Sequence, residues 1–197
     1  MVRNVSLDQM VRQGTVWHGR GVTDDSRLAS GWEALDRVIG GGWPRGALVE
    51  FLSDGVSGLR LLLPALARLD GWLAWVNPPH LPYAPALAGQ GLAPGRSLLI
   101  RTDADQSRWA AEQALRSRRC GAVLAWPGGL AGAQVRRLQL AAETGGALGV
   151  LFRPLAAGSQ ASPAALRLHL APERGALRLR VLKRRGGWGG AELRLQP

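Results

Sequence analysis

A buried strand followed by a glycine-containing loop and an apolar helix is the feature of this chain that most limits its fold. Residues 46–62 read GALVEFLSDGVSGLRLL, with apolar residues at 48, 49, 51 and 52 and a second apolar stretch that begins at Leu59. A strand, a loop and a helix in this order have the shape of a phosphate-binding loop. That unit belongs to α/β proteins whose core is a parallel sheet. The segment therefore predicts an α/β fold.

The loop has lost the side chains that act on a nucleotide. A working loop reads G-x-x-x-x-G-K-[ST], in which Lys reaches the phosphates and Ser or Thr holds Mg²⁺. Here Ser53 replaces the first Gly, Leu59 the Lys and Arg60 the Ser or Thr. We therefore expect a binding protein with no enzyme activity and no cofactor. Anion binding by backbone N–H groups at the helix start stays open as an alternative. The degenerate loop comprises Ser53, Asp54, Gly55, Val56, Ser57, Gly58, Leu59 and Arg60.

Helical and strand patterns alternate along the rest of the chain. Apolar runs predict strands near 48–52, 72–76, 98–100, 122–126 and 149–152, and amphipathic stretches predict helices between them. Segments 165–170 and 177–182 alternate apolar and polar residues around a Pro-Glu-Arg-Gly turn, which predicts an antiparallel hairpin. A last strand is expected at 192–195. The fold class is therefore a mostly parallel central sheet flanked by helices, with an antiparallel C-terminal edge.

Composition sets the size and the compartment of the protein. With 197 residues the chain has room for one domain of ordinary size. The net charge of +11 favours nucleic acid or an acidic protein as a partner. The lone Cys120 suits a reducing cytoplasm. The polar N-terminus does not read as a signal peptide, and no apolar run approaches the roughly 18 residues of a membrane span.

The C-terminus concentrates positive charge. Cations with an aromatic residue and a glycine-rich tail suit contact with nucleic-acid phosphates or an acidic protein. An exposed edge hairpin protected by charge against edge pairing is the alternative. Residues 183–197 are expected to form a basic tail with little to bury. The candidate contact residues are Arg178, Arg180, Lys183, Arg184, Arg185, Trp188 and Arg194.

A proline-rich loop at 77–85 is a second candidate interface. Its prolines restrict the backbone, so it loses little entropy when a partner binds. His80 and Tyr83 are the side chains that could meet that partner, and a rigid cap over the strand ends is the alternative. No metal site is expected, because the histidines lie far apart and no Cys or Asp cluster accompanies them.

Tryptophan is unusually frequent, with eight Trp against two Phe and one Tyr. Four of them lie in or beside predicted strands and are expected in the core, namely Trp43, Trp72, Trp75 and Trp126. Three others could be exposed and mark an interface, namely Trp17, Trp109 and Trp188.

Several segments in order resemble the RecA recombinase core. They are residues 31–36, the GGGWPRG turn, LVE at 48–50, AWVN at 74–77, residues 120–126 and residues 177–185. Three regions are expected: an N-terminal arm at 1–30, a RecA-like core at 31–182 and the basic tail at 183–197. It places Pro79 at the catalytic glutamate and Trp126 at the Mg²⁺-associated aspartate. Lys183 and Arg185 match two basic residues that reach nucleotide across a subunit interface.

Longer stretches resemble the ImuA family, which is RecA- and SulA-like. They read GGWPRGALVE, LRLLLPALARL, PPHLPYAPAL, WAAEQALRS, GAVLAWP and LKRRGG. The resemblance implies a cytoplasmic adaptor in SOS-induced, error-prone translesion DNA synthesis, a process of DNA repair and mutagenesis. Its implied partners are an ImuB-like inactive Y-family polymerase homologue, an error-prone DnaE-type polymerase, RecA and DNA.

Two other functions remain open at this stage. The first is a SulA-like inhibitor of cell division that binds a tubulin-like GTPase, since SulA has the same reduced RecA-like frame. The basic C-terminus does not separate this function from the adaptor, because such a GTPase would also be acidic. The second is a weak ATPase. Filamentation on overexpression without DNA damage would indicate the division inhibitor.

Overall fold

The protein has an eight-stranded sheet with helices on both faces. The computed structural model describes residues 27–54 and 58–196. The strands are β1 Arg27–Leu28, β2 Trp43–Pro44, β3 Ala47–Leu52, β4 Trp72–Val76, β5 Ser97–Ile100, β6 Cys120–Ala125, β7 Leu148–Arg153, β8 Leu166–Glu173, β9 Ala176–Arg184 and β10 Glu192–Leu195. The helices are α1 Glu33–Ile39, α2 Leu59–Leu66, α3 Ala84–Gly89, α4 Ala104–Arg116 and α5 Gly132–Gly145. Short 3-10 turns occupy Pro94–Arg96 and Leu155–Ser159.

The strand order in the sheet is β10-β9-β8-β3-β7-β6-β4-β5. Neighbouring strands from β8 to β5 run parallel, whereas β9 and β10 are antiparallel to their neighbours. The predicted fold class, with its C-terminal antiparallel edge, is therefore confirmed. β1 and β2 form a separate antiparallel pair, and β2 lies within the GGGWPRG turn at 40–46.

Side chains that alternate along the strands supply two apolar layers. One layer packs under α1, α2 and α3 and includes Val49, Phe51 and Trp75. The other packs under α4 and α5 and includes Leu48 and Val76. Because both faces are covered, the central strands are apolar on both sides, as buried parallel strands require.

Helix α2 ends at Leu66, although the apolar pattern that begins at Leu59 continues to Leu69. Pro64 lies inside it, where a proline removes one backbone hydrogen bond and clashes with the preceding turn. The helix ends two residues later, at Leu66, and its apolar residues still reach the core.

A buried ion cluster connects three adjacent strands. Glu50 of β3 accepts hydrogen bonds from Arg153 of β7 at 2.6 Å and from Arg167 of β8 at 2.5 Å. The two arginines also donate to backbone carbonyls, among them those of Leu130 and Ala157. These bonds attach the Leu155–Ser159 turn and the start of α5 to the sheet, and they satisfy charges that would otherwise be costly to bury.

The burial of the described tryptophans agrees with the sequence prediction except at one position. Trp43 and Trp75 are buried as expected, and Trp126 is half-buried. Trp72, predicted in the core, is 47% exposed because it is the first residue of β4. Trp109 and Trp188 are exposed, as predicted. Trp17 and nearly all of the predicted N-terminal arm lie outside the described residues.

Candidate functional site

An apolar groove lies where the carboxyl ends of β4 and β6 meet the start of α2. Its volume is about 390 Å³. Ligands of open α/β sheets bind at this edge, beyond the carboxyl ends of the strands. The groove is formed by Leu59 and Leu63 of α2, Trp75 of β4, Trp126, Leu87 of α3 and the proline-rich loop, including Leu81 and Tyr83.

The proline-rich loop forms the outer wall of the groove. Asn77 starts it in a left-handed conformation, with φ of 49°, which asparagine tolerates better than most residues. The Asn77 side chain donates to the carbonyl of Thr102 at 2.8 Å and accepts from its N–H at 2.9 Å. These two bonds attach the loop to the end of β5. Its outer side chains are therefore held in place before a partner arrives.

The groove presents apolar side chains to solvent. Leu81 is 66% exposed and Tyr83 is 70% exposed, and His80 beside them is also exposed. Arg60 is the permanently charged residue in the lining, which contains no carboxylate from the described residues. An exposed apolar patch with a cationic rim is typical of a protein-binding surface.

Aromatic rings fill the place that the RecA resemblance assigns to an Mg²⁺-associated carboxylate. Trp126, at that position, stacks on Phe152 with ring centroids 4.2 Å apart and planes 4° from parallel. It also stacks against Trp75 at 6.5 Å. The series continues through Phe51, in edge contact with Phe152, to Trp43. This surface offers no ligand to a metal ion.

The surviving glycine of the degenerate loop has a packing role. Gly58 has φ of 97°, and a Cβ added there would lie 2.8 Å from the ring of Phe51. Glycine is therefore required by the backbone and by the core, whether or not an anion binds. Arg60 and Pro79 both line the groove, and Gly55, Val56 and Ser57 lie outside the described residues. Within residues 27–54 and 58–196, no cluster of His, Cys, Asp or Glu could hold a metal ion.

The predicted C-terminal contact residues do not form one free basic patch. Arg178 and Arg194 pair with Glu173 at 3.4 and 2.9 Å, and Arg180 pairs with Glu192 at 3.6 Å. These exposed pairs reduce the positive charge on the hairpin. Trp188, at 91% exposure, extends from the turn between β9 and β10.

The remaining cations of that group lie at the end of β9. Lys183 donates from Nζ to the carbonyl of Ser162 at 2.6 Å, and burial, followed by repulsion from Arg167, lowers its pKa. Arg184 approaches the carbonyl of Val38, and Arg185 pairs with Glu143 at 3.2 Å. The structure thus separates the basic residues into a largely paired hairpin face and a second cluster near β1 and β2.

The sequence predicted the proline-rich loop as an interface but did not predict the residues that form the inner wall of the groove. Leu63 and Leu87 read as ordinary core residues of α2 and α3, since each is apolar and mostly buried. The signal that was available is the pair of apolar residues, Leu81 and Tyr83, inside a proline-rich polar turn. Apolar side chains that are exposed together form the kind of patch that marks an interaction site.

Fold and site together define a protein of RecA-like fold in which apolar and aromatic side chains line the groove at the carboxyl ends of β4 and β6. The structure is similar to that of the RadB recombinase, with a TM-score of 0.67 over 86% of this chain and 95% of that one, at 15% identity. No family model matches the chain.

Two curated relatives give the family. The cell division inhibitor SulA of Edwardsiella piscicida is 35% identical over 118 residues, which cover 56% of this chain and 70% of the relative. The cell division inhibitor SulA of Photorhabdus laumondii subsp. laumondii is 35% identical over 115 residues, covering 56% of this chain and 65% of the relative. The chain belongs to the SulA family.

This result corrects the function expected from the ImuA resemblance. Both relatives are named cell division inhibitors, so the prediction of a translesion-synthesis adaptor is wrong, and the SulA-like alternative is the one supported. The comparisons support the broader RecA- and SulA-like grouping and do not single out ImuA. Among the described residues, no helix is long and apolar enough to cross a membrane.

Proposed function

We propose that this protein inhibits bacterial cell division by binding a tubulin-like GTPase and that it does so without catalysis. The observation that carries the proposal is the 35% identity to a cell division inhibitor over 118 residues. We further propose that the protein is made during the SOS response.

The groove supports a binding role. In a nucleotide hydrolase this edge of the sheet needs a lysine, Mg²⁺ ligands and a carboxylate that orients water. Here Leu59, Pro79 and Trp126 occupy those positions and present apolar surface. Apolar and aromatic side chains at the centre of an interface supply most of its binding energy. We place the GTPase contact on this groove.

The positive charge of the groove and of the whole chain favours an acidic partner. The groove contains Arg60 and no carboxylate from the described residues, and the whole chain carries a net charge of +11. Complementary charge speeds the encounter of two proteins and adds specificity. A partner that places an apolar side chain in the groove and a carboxylate near Arg60 matches both features.

Overexpression in undamaged bacteria tests the function. Cells that produce the full chain should form filaments without nucleoid damage, because division stops while growth continues. Normal division at a protein level confirmed by immunoblot would contradict the proposal. In vitro, the protein should reduce sedimentation of polymers of a purified bacterial tubulin-like GTPase in a dose-dependent manner.

Matched variants test the groove. Leu81→Asp and Tyr83→Ala should prevent filamentation and weaken GTPase binding at least tenfold, since both side chains are exposed at its rim. Leu140→Asp is the control, because Leu140 is half-exposed on α5, on the opposite face of the sheet. If Leu140→Asp abolished filamentation and Leu81→Asp did not, the partner would bind the opposite face of the sheet.

A further inference from the structure

A second cleft lies at the opposite end of the sheet, beside the amino end of β3. It has a volume of about 90 Å³, and four arginines line it: Arg27, Arg45, Arg184 and Arg185. No acidic residue of the described chain is part of the lining. Four cations that share a small concave surface repel one another unless a counter-charge is present.

Three separate parts of the fold bring these arginines together. Arg27 belongs to β1, and Arg45 follows β2 in the turn before β3. Arg184 ends β9 opposite Leu166 of β8, and Arg185 comes next, with its backbone N–H bonded to the carbonyl of Ala165 at 2.7 Å. Hydrogen bonds between paired strands therefore fix the main-chain positions of at least three of the four arginines.

The contacts inside the cleft orient the guanidinium groups, and within residues 27–54 and 58–196 they leave most of the positive charge uncompensated. Arg27 donates to the carbonyls of Ile39 and Gly42, each at 3.1 Å, and Arg184 approaches that of Val38 at 3.4 Å. These acceptors are neutral. Among the described residues, Arg185 is the arginine of the cleft that pairs with a carboxylate, that of Glu143.

Two of the arginines keep unused donors. The Nε of Arg184 is buried and has no hydrogen-bond partner among the described residues. Packing holds this guanidinium between Gly40 and Gly187, where an added Cβ would collide with it. Arg45 is exposed and makes no side-chain hydrogen bond or ion pair with the described part of the chain. Burial and the charge of Arg184 both lower the pKa of Arg27, which is consistent with cations held close together.

We propose that this cleft binds a phosphate group, either as free phosphate or as a phosphate of a nucleic-acid backbone. Guanidinium groups with several N–H donors match the oxygens of a phosphate in charge and geometry. The volume is far below the roughly 300–1,000 Å³ of sites that enclose whole small molecules. The cleft therefore takes the oxyanion and leaves any larger part of the ligand outside. The inference does not rest on the proposed inhibition of cell division.

Binding of two probes to the full-length chain tests the site. Inorganic phosphate is titrated by calorimetry, and a fluorescein-labelled 15-nucleotide oligo-dT is titrated by fluorescence anisotropy. Arg45→Ala is the test variant, because Arg45 is exposed and its loss removes no internal contact. Arg174→Ala is the matched control, since Arg174 lies in the turn at the other end of the β8–β9 hairpin and removes the same charge.

Arg45→Ala should weaken the binding of at least one probe about tenfold, whereas Arg174→Ala should change it less than twofold. Loss of phosphate binding identifies a site for the free anion. Loss confined to the oligonucleotide, with a flatter salt dependence, identifies a backbone phosphate. Failure of the unaltered protein to bind either probe, or equal effects of the two variants, would overturn the proposal. Neither result depends on whether the protein causes filamentation.

Discussion

The guanidinium of Arg153 donates from Nη1 to Oε1 of Glu50 across 2.6 Å, and the two side chains are 3% and 0% exposed. Arg167, directly opposite Glu50 in the neighbouring strand, donates to its other oxygen. One carboxylate therefore holds two buried cations, and the contact joins strands β7, β3 and β8.

Removing that carboxylate should destabilise the protein strongly. Glu50→Gln leaves two guanidinium groups buried without a counter-charge, so we expect a loss of about 3–5 kcal/mol in the free energy of unfolding. Urea denaturation followed by circular dichroism measures it. Glu33→Gln, which removes an exposed carboxylate 4.0 Å from Arg37, should cause no measurable change. Equal stability of the two variants would show that the buried cluster is energetically neutral.

ATP turnover should be absent. The groove contains no lysine and no carboxylate from the described residues to act on a phosphoryl group. Phosphate release from Mg-ATP, measured with the full-length chain, should equal the buffer background. If turnover were observed and Arg60→Glu abolished it, the catalytic site would lie at the start of α2. Weak ATP binding that disappears only in Arg45→Ala would instead belong to the arginine cleft.

Truncation of the C-terminus should lower stability, whereas loss of the exposed Trp should not. β10 pairs along β9, and Leu193 and Leu195 pack against the core, so deletion of residues 191–197 should cost about 2 kcal/mol. Trp188→Ala should change stability by less than about 0.5 kcal/mol. Urea denaturation compares the two. A truncated protein as stable as the full chain would show that β10 contributes nothing to the fold.

Cys120 should react slowly in the native protein and make stability fall at alkaline pH. Burial raises the pKa of its thiol, and a hydrogen bond with Ser117 opposes this only in part. Below the thiol pKa of the unfolded chain, both states keep the proton and stability is independent of it. Above that pKa the unfolded chain loses its proton first, so stability falls until the pH passes the raised native pKa.

Iodoacetamide labelling followed by mass spectrometry checks this prediction. Cys120 is the one cysteine of the chain, so a single modified site reports the rate. The rate at pH 8 should be much lower in buffer than in 8 M urea, because only the thiolate reacts. Cys120→Ser should remove the thiol's share of the alkaline loss of stability. Equal labelling rates in both solvents would mean that the thiol is accessible and unperturbed.

The sheet was readable from sequence because its signals are local. Leu177, Leu179 and Val181 alternate with Arg178 and Arg180, and this period of two by itself indicates a strand with one buried face. The small β1–β2 pair was not readable, since each of its strands has only two residues and shows no period.

The buried ion cluster and the arginine cleft were not predicted, because both depend on contacts between residues far apart in the sequence. The residues next to Glu50 in the sequence do not indicate that it pairs with two arginines, which lie 103 and 117 positions away. The arginine cleft likewise depends on β9 returning to the amino end of β3, which brings Arg184 to Arg27. Sequence periodicity identifies the strands but does not specify which side chains meet once they are ordered in a sheet.

The stacked rings of Trp75, Trp126 and Phe152 make the loss of the nucleotide site hard to reverse. Leu59→Lys alone would bring a cation to an apolar surface, and Trp126→Asp alone would leave a void and an unpaired carboxylate between two aromatic rings. We therefore expect each of these single substitutions to lower stability without producing ATP turnover. Substitutions on the exposed rim of the groove can alter its partner without disturbing the stacked rings, whereas an ATPase would need several buried positions to change together.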